Sequence, residues 1–221
     1  MERINYFILQ IYDKKTKKKV NFVFCKINSV EIVYMEEDIK KCIEVLNKGG
    51  LILYPTDTIW GIGCDATNPD AVKKVYDLKR REENKAMLVL LDSVNNLDRY
   101  VRETPEIAYE LIDVAVSPLT IIYDNGYNLA PNLLGENGSV GIRVTNEKFS
   151  QMLCKRFRRP IVSTSANISG EASAVTFREI SQAIKDGVDY IVNYRRCDNE
   201  KRKASSIIKL GADGVIKILR K

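Results

Sequence analysis

The chain contains no histidine. Ser–His and Cys–His catalysis, histidine-ligated metals and imidazole proton shuttles are thereby excluded. Any chemistry must run on hydroxyls, amides, carboxylates, lysine, arginine or a metal ion carried in by a ligand. The five cysteines (Cys25, Cys42, Cys64, Cys154, Cys197) include no Cys-x-x-Cys pair. They read as reduced thiols in a cytoplasm, not as a disulfide frame or a zinc site. No apolar run approaches the about 20 residues that a membrane-spanning helix needs, and no signal peptide with a cleavage site is visible. A Walker A loop and internal repeats are also absent.

Positive charge is plentiful but unevenly placed. The 221 residues carry a net charge of +6, which suggests an anionic partner. Residues 1–34 hold seven Lys/Arg against three acids, leaving only +2 for the remainder. Basicity is therefore mostly a property of the amino-terminal segment. Two β-prone runs there, Tyr6–Tyr12 and Val20–Cys25, flank Lys14–Lys19 and are compatible with a hairpin. A poorly ordered extension of the domain is the preferred reading, with Met35 as an alternative start. Residues 35–221 then form one domain, and a chain beginning at Met35 should keep every motif described below.

The organising stretch is Leu51–Asp65, LILYPTDTIWGIGCD. A short apolar run, Leu51–Tyr54, reads as a buried strand, and Pro55 stops ladder pairing because it has no N–H. Thr56, Asp57 and Thr58 follow at the strand's carboxyl end, where open α/β sheets bind ligands. Gly61 and Gly63 permit a sharp turn or close approach of a ligand. Helices are expected over Glu36–Lys48, from Asn68-Pro69 to Lys79-Arg80-Arg81, from Pro105 to Val114, from Asn146 to Phe157 and from Thr176 to Lys185. Strands are expected at Met87–Leu91, Leu119–Tyr123, Val140–Val144, Pro160–Thr164, Tyr190–Tyr194, Ser205–Leu210 and Val215–Leu219. Gly211–Gly214 joins the last two as a hairpin, and Asp124–Gly138 is a long loop of the kind that often carries function. This alternation, with its strand-rich tail, argues for an α/β fold with a twisted mixed sheet.

Three polar clusters stand at element ends: Thr56/Asp57/Thr58, Lys79/Arg81 with Lys85, and Ser163/Ser165/Asn167. Arg143 sits inside a strand and is aimed at one face of the sheet, where it needs an anion. Taken singly, Arg143 reads as half of a structural ion pair, Lys79–Arg81 as a solvated helix terminus, and Ser165-Ala166-Asn167 as a turn. Together they supply the cations, hydroxyls and amide suited to a phosphate-bearing ligand beside a small zwitterion. A rival is the dinucleotide fingerprint, formally matched by Gly61-x-Gly63-x-x-Ala66. Pro55–Trp60 separate its first glycine from the strand, which argues against a nicotinamide enzyme.

Five ordered elements resemble the YrdC-like family: Tyr54-Pro55-Thr56-Asp57-Thr58 with Gly61-x-Gly63-Cys64-Asp65-Ala66, Lys79-x-Arg81, Gly141-Ile142-Arg143-Val144, Ser163-Thr164-Ser165-Ala166-Asn167-x-Ser169-Gly170, and Ser205-Ser206-Ile207-Ile208. The resemblance covers roughly Met35–Lys221. It departs at Lys85-Ala86, where the family often has Lys-Pro, and at Val116-Ser117-Pro118, where it often has Pro-Gly-Pro. Ile207 stands for a threonine, and Leu90 for a histidine of some members. The resemblance implies a twisted α/β sheet with flanking helices around a large basic cavity. It further implies a synthase that joins L-threonine, bicarbonate and ATP into threonylcarbamoyl-AMP and pyrophosphate. That product serves tRNA threonylcarbamoyladenosine modification through downstream transfer proteins. Thr56, Thr58, Arg143, Ser163 and Ser205 would surround threonine. Lys79, Arg81, Thr120, Ser165, Asn167 and Arg195 would hold ATP, with Lys79, Arg81, Ser165 and Asn167 the catalytic set. Mg²⁺ would arrive on the ATP phosphates with no protein ligand. The form implied is the short one, without a further carboxy-terminal domain. The alternative is a non-catalytic module that binds double-stranded RNA or tRNA.

Overall fold

A computed structural model describes residues 28–82 and 87–221, with side chains from Tyr34 onward, and the strands β1 (Tyr6–Asp13) and β2 (Lys18–Cys25). β1 and β2 pair antiparallel from Tyr6 opposite Cys25 to Asp13 opposite Lys18. They form a two-stranded sheet of their own. Glu83 and Lys85 lie outside the described residues.

Helix α1 (Asn28–Asn47) begins two turns before the expected Glu36. Met35, Ile39, Cys42 and Leu46 recur every three or four residues and are all buried, so one stripe of the helix faces the core. Gly49 closes it at φ +67, and Gly50 N–H returns to the Val45 carbonyl, which satisfies the helix's last acceptors. Strand β3 (Ile52–Tyr54) follows, and the chain then turns through residues 55–60 into β4 (Gly61–Gly63).

β4 is absent from the sequence reading. Three residues of Gly-Ile-Gly have little strand propensity, yet they pair with β3 on one side and with β8 on the other. The residue between the sheet partners must be small: a Cβ on Gly63 would lie 2.7 Å from Tyr54 Cε1. The glycine pattern is therefore a strand inside the sheet and not a phosphate-binding turn.

The remaining elements are α2 (Pro69–Lys79), β5 (Leu88–Leu91), α3 (Ile107–Asp113), β6 (Leu119–Tyr123), β7 (Val140–Val144), α4 (Lys148–Phe157), β8 (Ile161–Ser165), α5 (Gln182–Asp186), β9 (Tyr190–Ile191), β10 (Ser206–Leu210) and β11 (Ile216–Arg220). The helix expected from Thr176 divides into a capped 3₁₀ turn, Phe177–Glu179, and the short α5. Strand order across the nine-stranded mixed sheet is β11-β10-β6-β7-β5-β8-β4-β3-β9. Register places Ile208, Ile121, Ile142, Val89 and Val162 in one row across five strands, and all five are buried. Their neighbours one residue along must point to the opposite face, because strand side chains alternate. On that face the sheet carries polar residues.

Candidate active site

Alternation and register together deliver one set of side chains to a cavity of about 370 Å³. β6 contributes Thr120 and Ile122, β7 Gly141 and Arg143, β5 Leu88, β8 Ser163 and Ser165, β4 Gly61, and β10 Ile207 with Ser205 just before it. Opposite partners confirm the row: Thr120 faces Ile207 on one side, and Arg143 faces Leu90 on the other. The loop after β3 adds Thr58, Ile59 and Trp60, and Arg81 enters from the end of α2. Three arginines (Arg81, Arg143, Arg220) and eight hydroxyl-bearing residues line this space, and among the described residues no carboxylate does. Such a lining suits an anion rich in oxygen acceptors.

Several of these side chains are held from behind. Asn68 Oδ1 accepts from the N–H groups of Asp70 and Ala71, with Pro69 at the first helical position, so α2 starts where the sequence reading placed it. It ends at Lys79 because Arg80 adopts the left-handed conformation at φ +50, and the Arg81 N–H returns to the Tyr76 carbonyl. This cap sends Lys79 and Arg81 in different directions. Arg81 reaches the cavity, and burial lowers its pKa without discharging it. Lys79 instead turns under the loop that follows β8. Its Nζ donates to the carbonyls of Ser165 (2.5 Å) and Asn167 (2.7 Å), and its own carbonyl accepts from Ser169 N–H.

Asn167 braces the same loop, donating from Nδ2 to the carbonyls of Ile168 (2.9 Å) and Glu171 (2.8 Å). Its Oδ1 is buried without a hydrogen-bond partner. Thr56 lies behind Thr58: its Oγ1 donates to the Ile59 carbonyl, accepts from Thr58 N–H, and lies 2.9 Å from Thr58 Oγ1. Arg195 is also a support, with Nη1 donating to the Thr56 carbonyl and Nε to Asp198. Asp38, buried on α1, orders the turn leading to Arg195 by accepting from Tyr190 Oη, Tyr194 N–H and Asn193. The cavity therefore gathers Thr58, Arg81, Thr120, Arg143, Ser163, Ser165 and Ser205. Thr56, Lys79, Asn167 and Arg195 stand in the layer behind it.

Arg143 meets both readings made of it. It is buried, lies 3.0 Å from Asp57 Oδ1, donates to Thr58 Oγ1 at 3.4 Å, and lines the cavity. The contact with Asp57 is coulombic more than a directed hydrogen bond, since Asp57 Oδ1 finds no aligned donor and Arg143 Nε is unpartnered. Thr120 and Ser205 share a hydrogen bond of 2.8 Å across β6 and β10. Arg220 on β11 donates to the Ser205 carbonyl and hydroxyl and closes that end of the cavity.

Sequence reasoning missed Arg220, Trp60, Ser139 and Ser173 as lining residues. A single arginine one residue from the chain's end carries no local signal, and only the β10–β11 pairing carries it to the cavity. The long Asp124–Gly138 loop stays outside the lining, which begins at Ser139.

Lys79 yields a pH prediction. Burial, and secondarily the nearby Arg81 charge, push its pKa down to about 8. Between pH 8 and the ordinary lysine range the unfolded chain then binds a proton that the folded chain does not. Stability from this group should accordingly rise as pH increases through that window. Denaturation midpoints of wild type and Lys79→Met, measured from pH 7 to 10.5, should diverge in slope, with wild type gaining. Parallel profiles would refute the assignment.

Residues 44–221 match the family model Sua5_yciO_yrdC, described as "Telomere recombination". The chain belongs to this family. A Methanocaldococcus jannaschii relative, provisionally named a threonylcarbamoyl-AMP synthase, is 35% identical over 188 residues, 83% of this chain and 87% of the relative. The threonylcarbamoyl-AMP synthase of Vibrio parahaemolyticus is 30% identical over 184 residues, 79% of this chain and all of the relative. Among solved structures, a variant of P. abyssi Sua5 superposes with TM-score 0.75 at 25% identity, over 82% of this chain and 55% of that one. E. coli YciO superposes with TM-score 0.73 at 22% identity, over 84% of this chain and 89% of that one, which shows the shared fold. The chain thus spans about half the length of the P. abyssi protein. Within the family, the α/β fold with its nine-stranded mixed sheet is the common framework.

Among the described residues, no helix is long and apolar enough to cross a membrane, and no group of three or more Cys/Asp/Glu is placed to hold a metal. Cys42, Cys64 and Cys154 are buried, and burial pushes their thiols up, so they act as apolar packing rather than as nucleophiles.

Proposed function

We propose that this protein is a threonylcarbamoyl-AMP synthase acting in the cytoplasm for tRNA threonylcarbamoyladenosine modification. The observation that carries this reading is the cavity lining itself, with three arginines, eight hydroxyls and, among the described residues, no carboxylate. Relatives at 30–35% identity bear the synthase name, and P. abyssi Sua5 has been solved in complex with L-threonine.

The reaction asks little of the protein in covalent terms. The threonine amine and bicarbonate combine, with loss of water, into N-carboxy-threonine. An oxygen of its N-carboxylate group then attacks the α-phosphorus of ATP, the bond to the oxygen bridging the α- and β-phosphates breaks, and pyrophosphate leaves. The nucleophile is already anionic, so no general base is required, and a site without histidine suffices. What the chain must supply is positioning of two anions and stabilisation of charge spreading over the phosphate oxygens. Arg81 and Arg220 serve the polyphosphate, with Ser163, Ser165 and Ser205 as hydroxyl donors. Thr58, set by Thr56 and Arg143, faces the amino acid. Lys79 and Asn167 hold the Ser165 loop in register. Mg²⁺ carried on the ATP phosphates would neutralise part of their charge, and the cavity hydroxyls would hydrogen-bond its water shell. The Ile59 and Trp60 side chains supply apolar surface for a threonine methyl.

Pyrophosphate release should require ATP, L-threonine and bicarbonate together. L-serine should serve with a catalytic efficiency lower by about ten- to a hundredfold, the range expected for one missing methyl in an apolar pocket. Coupled pyrophosphate detection with each component omitted checks this. Equal release without amino acid would indicate a plain ATPase, and retention of RNA with no ATP binding would indicate an RNA-binding module.

A further inference from the structure

A second recess, of about 400 Å³, shares no residue with the central cavity. Asp92 lies at the end of β5, Asn96 and Arg99 in the following 3₁₀ segment, and Lys155, Arg158 and Arg159 at and beyond the end of α4. Four cations thus meet one acid, in a domain of residues 35–221 whose whole net charge is only +2.

Local structure compensates only part of this charge. Arg159 pairs with buried Asp65 and also donates to Asn47 Oδ1. Asp92 accepts from Asn96 Nδ2 at 2.9 Å; Arg99 donates to the neutral Asn96 Oδ1 at 3.5 Å and lies 5.9 Å over the Tyr100 ring, with no acidic partner among the described residues. Lys155 and Arg158 have no acidic partner among the described residues. The carboxyl-end dipole of α4 explains basic residues in its last turn, and Arg156 there pairs with Glu36. It does not explain Arg99, which comes from another element. Nor does it explain Arg158, which occupies the left-handed position past the helix at φ +60, where glycine is the default.

We infer that this recess binds a small phosphate-dense anion of the di- or triphosphate class. Like charges gathered in a concave site repel one another and focus a positive potential into it, and a polyanion relieves the first by occupying the second. Three cations without an ion-pair partner, offset only by Asp92 and spread over two elements, match several phosphates, whereas a lone carboxylate would engage only one of them. An inorganic polyphosphate and the tail of a nucleotide share this chemistry.

The test is amide chemical-shift mapping of the full ¹⁵N-labelled chain with inorganic tripolyphosphate, and separately with ADP. Tripolyphosphate should shift Asn96, Tyr100 and Arg158. In Lys155→Ala/Arg158→Ala its affinity at those residues should fall by about tenfold, while responses at Arg81 and Ser165 stay unchanged. Arg158→Lys alone should retain most of the affinity, which separates charge from folding. Equal distal shifts with ADP assign the site to a phosphate tail, and shifts with tripolyphosphate alone assign it to an inorganic chain. The inference is overturned if distal amides do not respond, or if the double variant responds like wild type. It is equally overturned if a short RNA duplex shifts them when tripolyphosphate does not. Because the readout is binding, it stands apart from the synthase proposal.

Discussion

Arg143→Ala is expected to destabilise the protein by about 3–5 kcal/mol, the range for removing one partner of a buried ion pair. The Arg143 side chain is only 3% exposed and that of Asp57 13%, and the two approach within 3.0 Å. Without the guanidinium, the Asp57 carboxylate loses its ion-pair partner in a poorly solvated position, and Thr58 loses a donor. The slight exposure of Asp57 favours the lower end of the range, since some water can reach it. Replacing the acid as well separates the causes. Asp57→Asn/Arg143→Ala leaves no orphaned charge, so it should recover a substantial part of the lost stability. Urea denaturation of the wild type, both single variants and the double variant supplies the cycle. If single and double variants are equally unstable, the loss comes from packing and the pair contributes nothing.

Arg81→Ala should lower the rate of pyrophosphate formation by about ten- to a hundredfold or more, with the fold intact. A charge-assisted guanidinium–phosphate contact contributes roughly 1.5–3 kcal/mol, which sets that range. The side chain follows the cap of α2, so truncation removes cavity lining without disturbing the helix's buried face, Ala71, Val72, Val75 and Tyr76. Calorimetric titration of ATP–Mg²⁺ with threonine and bicarbonate present should show a matching loss of affinity while the denaturation midpoint stays near that of wild type. Unchanged affinity and rate would remove Arg81 from the site. A fall in midpoint equal to the loss of activity would make it structural instead.

Sequence and structure agree where a signal is local. Asn68-Pro69 caps and starts α2 because a side-chain oxygen and a preset φ act within three residues of one another. The runs at Leu119–Tyr123 and Val140–Val144 are strands over the expected residues, since short β-branched segments bury well on both faces of a central sheet. They part where a neighbour decides. Gly61–Gly63 has no propensity of its own and is a strand only because β3 and β8 flank it. Thr176–Lys185 breaks into a 3₁₀ turn and a short helix, with Ile180 buried between them. The same holds for site residues: Ser163, Ser165 and Arg143 reach the cavity by strand alternation, which the sequence displays. Lys79 turns beneath its loop because two carbonyls across a span of more than 80 residues accept its protons.

By itself, the sequence determined the α/β class, the family through five ordered motifs, the exclusion of imidazole chemistry, and the residue types available for binding an anion. Those follow from composition and short-range spacing, which need no fold to be read. Only the tertiary structure decided which of those residues face the cavity and which stand behind it, and only it brought in Arg220. It also decided that Arg143 shares its charge with Asp57, and that Arg99 meets Lys155 and Arg158 in one recess. Each of these depends on sheet register and on how one element packs against another, and such long-range pairings leave no periodic trace in the chain.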